Sequence, residues 1–265
     1  MMSAATRPRA RPCRARAASL QSHRVCTLIL GIGIFGAGSL MLGANRDEDP
    51  ARPSSPPTRL IEYPPVVGGR DLRAGGTWLA VRARTAAIAM LNRRGRMDAP
   101  ATRSRGLLAL DVASGEGPGA AFEPLVRDRY APFTLVMADP ERCWILAWDG
   151  EHAKMIEPSP GWHVLTHTEL DDPGEPRAAW LKESLASLKP RTPEEARAGV
   201  IQRLSRHEDP AVCLHSGAVR TVSSAWVEFG PRGARYEHAE GPPCTTPFVD
   251  YTHLLMSEPV TSENA

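Results

Sequence analysis

Lysine is almost missing from this chain of 265 residues: Lys154, Lys182 and Lys189 are the only ones, and arginine carries the rest of the positive charge. Together with abundant Ala, Gly and Pro, this bias indicates a GC-rich, bacterial type of coding sequence, an inference about codons rather than chemistry. Acidic residues are missing from residues 1–25, which hold six arginines; beyond them 26 basic residues face 30 acidic ones. The body of the protein therefore has no basic footprint, which excludes nucleic acid as an expected partner. CxxC pairs are also missing. The five cysteines (Cys13, Cys26, Cys143, Cys213 and Cys244) are odd in number and far apart, which argues against a disulfide framework and against a zinc site. The eight histidines show no metal-ligand spacing, so neither metal nor cofactor is expected. His215 beside Cys213 reads as alternation on one strand face. A reducing, cytoplasmic compartment suits such thiols, and no internal repeat is visible.

Apolar and charged contents of 42% and 23% are ordinary for a globular protein and exclude wholesale disorder. The length allows one large domain or two small ones, with a substantial core. Residues 1–25 form no apolar periodicity and are expected to be a disordered extension. Three origins remain open for them: a signal or transit segment, a propeptide, or translation upstream of a true start at Val25, since GTG is a usable bacterial start codon.

The stretch Cys26–Glu48 has two incompatible readings. Arg14, Arg16 and Arg24 precede about eighteen mostly apolar residues, close to the roughly 20 that a membrane helix needs, so residues 1–43 can be a targeting or anchoring segment of an exported protein. Gly31, Gly33, Gly36 and Gly38 weaken a helix and suit a hairpin, with strands at Thr27–Ile34 and Leu40–Gly43 and a turn at Gly36-Ala37-Gly38. In that reading the polar tetrad Asn45-Arg46-Asp47-Glu48 follows the second strand.

Pro50–Pro65 permits neither helix nor central strand. Strands are expected at Thr77–Val81, Ala86–Leu91, Phe133–Ala138, Cys143–Trp148, Ala153–Glu157 and His163–Thr166, then at Val212–Leu214, Thr221–Phe229 and Ala234–His238. Arg93–Arg103 is a basic loop. Helices are expected at Arg105–Val112 with Ser104 as N-cap, at Phe122–Arg127, at Arg177–Leu188, and from Thr192 to about His207. Thr192-Pro193-Glu194-Glu195 is a capping box with proline at the first helical position. Strands, helices, strands, helices and strands in that order fit an α+β domain. Trp78 reads as core rather than as a substrate platform.

Asn45-Arg46-Asp47-Glu48, Arg52-Pro53-Ser54, Gly75-Gly76-Thr77-Trp78-Leu79, Asn92, Arg105-Gly106 and Tyr130–Asp139 occur in an order and spacing that resemble the NRDE family, whose eukaryotic members are the transport-and-Golgi-organisation proteins. The resemblance covers about Cys26–Phe248 and implies a single domain over 26–265 with a four-layer αββα sandwich like that of N-terminal-nucleophile hydrolases. It further implies a cysteine, here Cys26, that attacks a carbon–nitrogen amide once it is N-terminal, its own α-amine accepting the thiol proton. By the same resemblance Asp47 orients the α-ammonium, Asn92 supplies an oxyanion-hole amide and Arg46 supports the thiolate or fixes a carboxylate. Related hydrolases carry Arg-Asn-x-Asp where this chain has Ala44-Asn45-Arg46-Asp47. Read as a one-residue displacement, this predicts that the arginine changes strand face. Thr166-His167 stands where relatives often show Ser-Asn, making His167 a candidate binding residue, and Arg220 is the candidate for a late arginine. The partner is then a small-molecule amide. The alternative function on the same fold is non-catalytic binding of a hydrophobic ligand, haem or an acyl thioester.

Overall fold

The computed structural model describes residues 26–83, 85–97, 100–115, 125, 128–231 and 233–256. The extension 1–25 and, apart from Leu125, the helix expected at Phe122–Arg127 lie outside them. The apolar stretch after Cys26 is a hairpin. β1 (Thr27–Ile32) and β2 (Leu40–Glu48) pair antiparallel from Ile32 opposite Leu40 to Thr27 opposite Asn45. Gly36 and Gly38 sit in the connection at φ of 94° and 80°, a left-handed backbone that residues with a Cβ adopt only at a cost. β2 is longer than the sequence suggests. The tetrad is its last four residues rather than its sequel, because β11 (Arg220–Gly230) pairs alongside it as far as Glu48.

Two antiparallel sheets result. One runs β10 (Gly161–Leu165), β1, β2, β11, β12 (Gly233–Ala239) and β13 (Val249–Asp250). The other runs β3 (Ser54–Ile61), β4 (Val66–Asp71), β5 (Leu79–Arg82), β6 (Ala86–Asn92), β7 (Phe133–Ala138), β8 (Cys143–Trp148) and β9 (Ala153–Ile156). Leu28, Leu30, Leu40, Leu42, Leu79, Val81, Leu91, Val227 and Phe229 fill the space between them. On the outer face of the second sheet, α1 (Arg105–Ser114) buries Leu108, Ala109, Val112 and Ala113 against Ile88, Met90 and Leu135. On the outer face of the first, α2 (Pro176–Ala186) and α3 (Pro193–Leu204) bury Leu181, Leu185, Val200 and Leu204 against Ile29, Met41 and Trp226. Helix, sheet, sheet, helix is the four-layer αββα order.

Several local expectations change. Pro50–Pro65 contains all of β3, which is tolerated because β3 is an edge strand and its pairing skips from Ser55 to Thr58, across both prolines. Ser104 stands at the α1 N-cap but makes no side-chain cap bond. Thr192 does cap α3, accepting from Glu195 N, whereas Glu195 turns back to Arg191 N rather than closing the box on Thr192. Val212–Leu214 is loop, not strand, because its backbone turns to Arg206 O and to the Thr221 hydroxyl.

Gly76 shows what the Gly-Gly-Thr-Trp motif is for. A Cβ there would come within 2.2 Å of the Gly106 carbonyl carbon at the start of α1, where backbone meets backbone and cannot yield cheaply. Gly76→Ala is expected to destabilise the fold by about 1–3 kcal/mol, measured as a lower urea midpoint with an unchanged slope.

Candidate active site

Strand alternation places the site. Leu40, Leu42 and Ala44 of β2 face the other sheet, whereas Met41 faces the helices. Continuing that alternation, Arg46 turns inward with Cys26, and Asn45 and Asp47 turn outward toward α2 and α3. Counted back from Asp47, the arginine of Arg-Asn-x-Asp would occupy position 44. The displacement is thus two residues, not one, and Arg46 keeps the face that the sequence reading assigned away.

Cys26, half-buried just ahead of β1, lines two clefts. The first, the inner cleft, lies between the sheets and is walled by Leu28, Ala44, Leu79, Leu91 and Ala225, with Ser223 at its side. The second, the outer cleft, is more polar and is lined by Arg46, Glu48, Arg52, Asp71, Asn92 and Arg105. The Cys26 thiol donates only a long contact to the Asp47 carbonyl at 3.9 Å. Burial, then the Asp47 carboxylate, pushes it up to about 11. Arg46 lies with its guanidinium 4.1 Å from the centre of the Trp78 ring and donates to Ser54 Oγ at 3.2 Å. Trp78 is therefore a half-buried platform lining both clefts, rather than plain core. Arg52 donates from Nε and Nη2 to Asp71 Oδ2 at 2.8 and 2.6 Å, fixing the rim.

Asp47 behaves differently from its expected role. Its side chain lies on the helix face, accepting from Arg177 Nη1 at 3.0 Å and from Thr221 Oγ1 at 2.7 Å, while the same Arg177 nitrogen reaches Thr27 Oγ1. Burial outweighs these partners and raises the carboxyl to about 6. Asn45 is a clasp: Nδ2 donates to Leu204 O and Val212 O at 2.8 and 3.1 Å, and Oδ1 accepts from Ser224 Oγ at 2.8 Å. Asn45→Ala would strand these buried groups and is expected to cost about 3 kcal/mol, read from equilibrium denaturation.

Asn92, at the end of β6, shares the outer cleft with Cys26 and Arg46. His167 is buried, gives its carbonyl to Arg94 N at 2.7 Å, and borders neither cleft. Arg220 is exposed, bonds the Gly217 carbonyl of its own loop, and also borders neither. Thus Cys26, Arg46 and Asn92 come together, Asp47 sits behind them, and His167 and Arg220 stay apart. Sequence reasoning missed Arg177, which lies 130 positions from Asp47 with no motif of its own. It also missed His238, pushed down to about 4 by burial and then by Arg46. Ser223, inside the strand expected at Thr221–Phe229, is a further residue that carries no motif of its own. Its buried hydroxyl makes no hydrogen bond among the described residues, and Ser223 lines the inner cleft.

Among known proteins, the family described as Transport and Golgi organisation 2 matches residues 36–229. No curated protein matches the chain by sequence. By structure the chain is similar to the Caenorhabditis elegans N-acylethanolamine-hydrolyzing acid amidase ortholog, with TM-score 0.53 and 15% identity over 76% of this chain and 92% of that one. It is also similar to a variant of the conjugated bile acid hydrolase from Clostridium perfringens, with TM-score 0.50 and 12% identity over 88% and 95% of the two chains. At these identities the likeness establishes the fold, that of N-terminal-nucleophile hydrolases. Among the described residues no helix is long and apolar enough to cross a membrane.

Proposed function

The chain belongs to the Transport and Golgi organisation 2 family, and on that premise we propose that it is an N-terminal-nucleophile-type hydrolase of a non-peptide carbon–nitrogen amide, with Cys26 as nucleophile once that residue is first in the chain. The observation that carries the reading is that Cys26 lines both an apolar cleft and a charged one, together with Arg46, and that Asn92 lines the charged one. As an internal residue, with its thiol near 11, Cys26 holds almost no thiolate at neutral pH. Cleavage of the Val25–Cys26 bond places on it an α-amine that titrates near roughly 7.7–8.0, a base within the same residue.

The sulfur then bonds to the amide carbon while the thiol proton passes to the amine. Asn92 donates to the carbonyl oxygen as it gains negative charge. The C–N bond breaks as the departing nitrogen takes that proton, leaving an acyl thioester on Cys26. Water, deprotonated by the α-amine, adds to the thioester carbon; the C–S bond breaks, the α-ammonium returns its proton to the sulfur, and a carboxylic acid is released. Leu28, Leu79, Leu91 and Ala225 suit an apolar acyl group, and Arg46, Arg52 and Arg105 suit a polar or anionic end. The substrates named for the two structural neighbours, an N-acylethanolamine and a conjugated bile acid, are of this kind. A cytoplasmic setting, which keeps thiols reduced, belongs to the same proposal.

The test is an electrophilic lactam probe applied to a chain produced to start at Cys26 and to one that retains residues 1–25. One adduct on Cys26, in the shorter chain alone, supports the reading; equal labelling of both removes the self-activated mechanism. One observation favours the second reading, a binding protein for haem or an acyl thioester. The Asp47 carboxylate is engaged with Arg177 on the far face of β2, away from the thiol it would assist. Ligand retention in a Cys26→Ala variant without hydrolysis by the parent chain would favour that reading.

A further inference from the structure

The chain places two cysteines and two histidines together where no spacing in the sequence announced them. His207 follows α3, Cys213 and His215 lie in the loop before β11, and Cys244 follows β12. Their donor atoms all lie within 4.8 Å of one another. Cys213 Sγ is 3.7 Å from Cys244 Sγ and 3.5 Å from His215 Nε2, and His215 Nε2 is 3.1 Å from Cys244 Sγ. The His207 and His215 rings meet edge to face, 4.8 Å between centroids and 61° between planes. Both cysteines are free thiols.

A tetrahedral zinc ion with Zn–S of about 2.3 Å and Zn–N of about 2.0–2.1 Å requires donor separations of roughly 3.3–3.8 Å. The three separations fall at or near that range, and His207, whose donor lies within 4.8 Å of the others, has about an ångström to close. A set of two sulfurs and two imidazoles selects zinc over magnesium or calcium, which prefer oxygen. The ligands are also held in place. Cys213 is buried and its N–H donates to Arg206 O at 2.8 Å. Its neighbours Val212 and Leu214 are tied to Asn45 Nδ2 and Thr221 Oγ1. On the other side, Pro242 O accepts from Thr245 N and Thr246 N around Cys244. His207, His215 and Cys244 are exposed, which leaves an entry path.

We propose that His207, Cys213, His215 and Cys244 form a zinc site that staples the α3–β11 loop to the segment after β12. Binding displaces one proton from each thiol, and both leave to solvent. The sequence does not announce such a site, because a ligand set divided between one loop and a segment about thirty residues later matches no short zinc motif. The staple lies directly behind the tetrad, since the loop it closes is the one that Asn45 and Thr221 hold against β2.

The test is the metal content of the full-length, reduced protein after addition of zinc chloride and desalting, followed by replacement of zinc with cobalt(II). A single zinc per chain is expected, together with a tetrahedral cobalt spectrum bearing a thiolate charge-transfer band. That band should weaken in Cys244→Ser, which alters an exposed residue and leaves one thiolate, and the tetrahedral spectrum should change in His215→Ala, whereas both should persist in Cys143→Ala. Absence of stoichiometric zinc from the reduced wild-type protein overturns the proposal, as does an unchanged cobalt spectrum in Cys244→Ser. Recovery of Cys213 and Cys244 as a disulfide from protein kept in reductant overturns it too.

Discussion

Replacing Cys26 with alanine in a chain that starts at residue 26 is expected to abolish covalent labelling by the lactam probe and to lower amide turnover at least about a thousandfold, since removal of a nucleophile leaves only what binding and oxyanion donors supply. The fold should tolerate the change at a cost of about 1 kcal/mol or less, because Cys26 is half-buried at the cleft mouth and its thiol makes only a 3.9 Å contact. Cys143→Ala is the matched control, a buried thiol of β8 remote from both clefts. Turnover surviving in Cys26→Ala but lost in another cysteine variant would move the nucleophile elsewhere.

The second large effect concerns Asp47 and pH. Its carboxyl is raised to about 6 in the folded protein, against about 3.9 in an unfolded chain. Between those values the native state holds a proton that the unfolded state has lost. The associated stability is therefore fully present below about pH 4 and is lost as pH rises through about 6. Asp47 is 1% exposed, so solvent screening removes little, and about two pH units correspond to roughly 3 kcal/mol. Wild-type stability minus that of Asp47→Asn should fall by about 2–3 kcal/mol between pH 4 and 7. The difference between the two proteins is the quantity to measure, because Asp71 and Asp171, whose carboxyls are lowered, slope the opposite way in both. A flat difference would mean that Arg177 and Thr221 offset the burial of Asp47 completely.

Much of the sandwich is legible in the chain. Near-continuous apolar runs locate β1, β6, β7 and β8, and Thr192-Pro193 locates the start of α3. What escapes is whatever depends on a partner distant in sequence. The tetrad looks like a strand end because it is polar, yet β11 extends the ladder over it and Arg177 and Ser224 satisfy its outward side chains. β3 hides under prolines that only an edge strand accepts. The site divides in the same way. The motif order brings Cys26, Arg46 and Asn92 to one place, whereas the side-chain direction of Asp47 is set by strand register, which no short motif states. His167 and Arg220 rested on positional correspondence alone, and each faces its own local surroundings. Trp78 combines two roles that the sequence set against each other, packing against the core and carrying Arg46 over its ring.

Everything proposed for catalysis passes through one peptide bond, Val25–Cys26. The most direct test is intact mass together with N-terminal sequencing of the protein made from its native locus. A chain that begins at Cys26, carrying a free α-amine beside the thiol, is the expected result. A chain that retains residues 1–25 would contradict it, because the thiol near 11 would then have no base of its own.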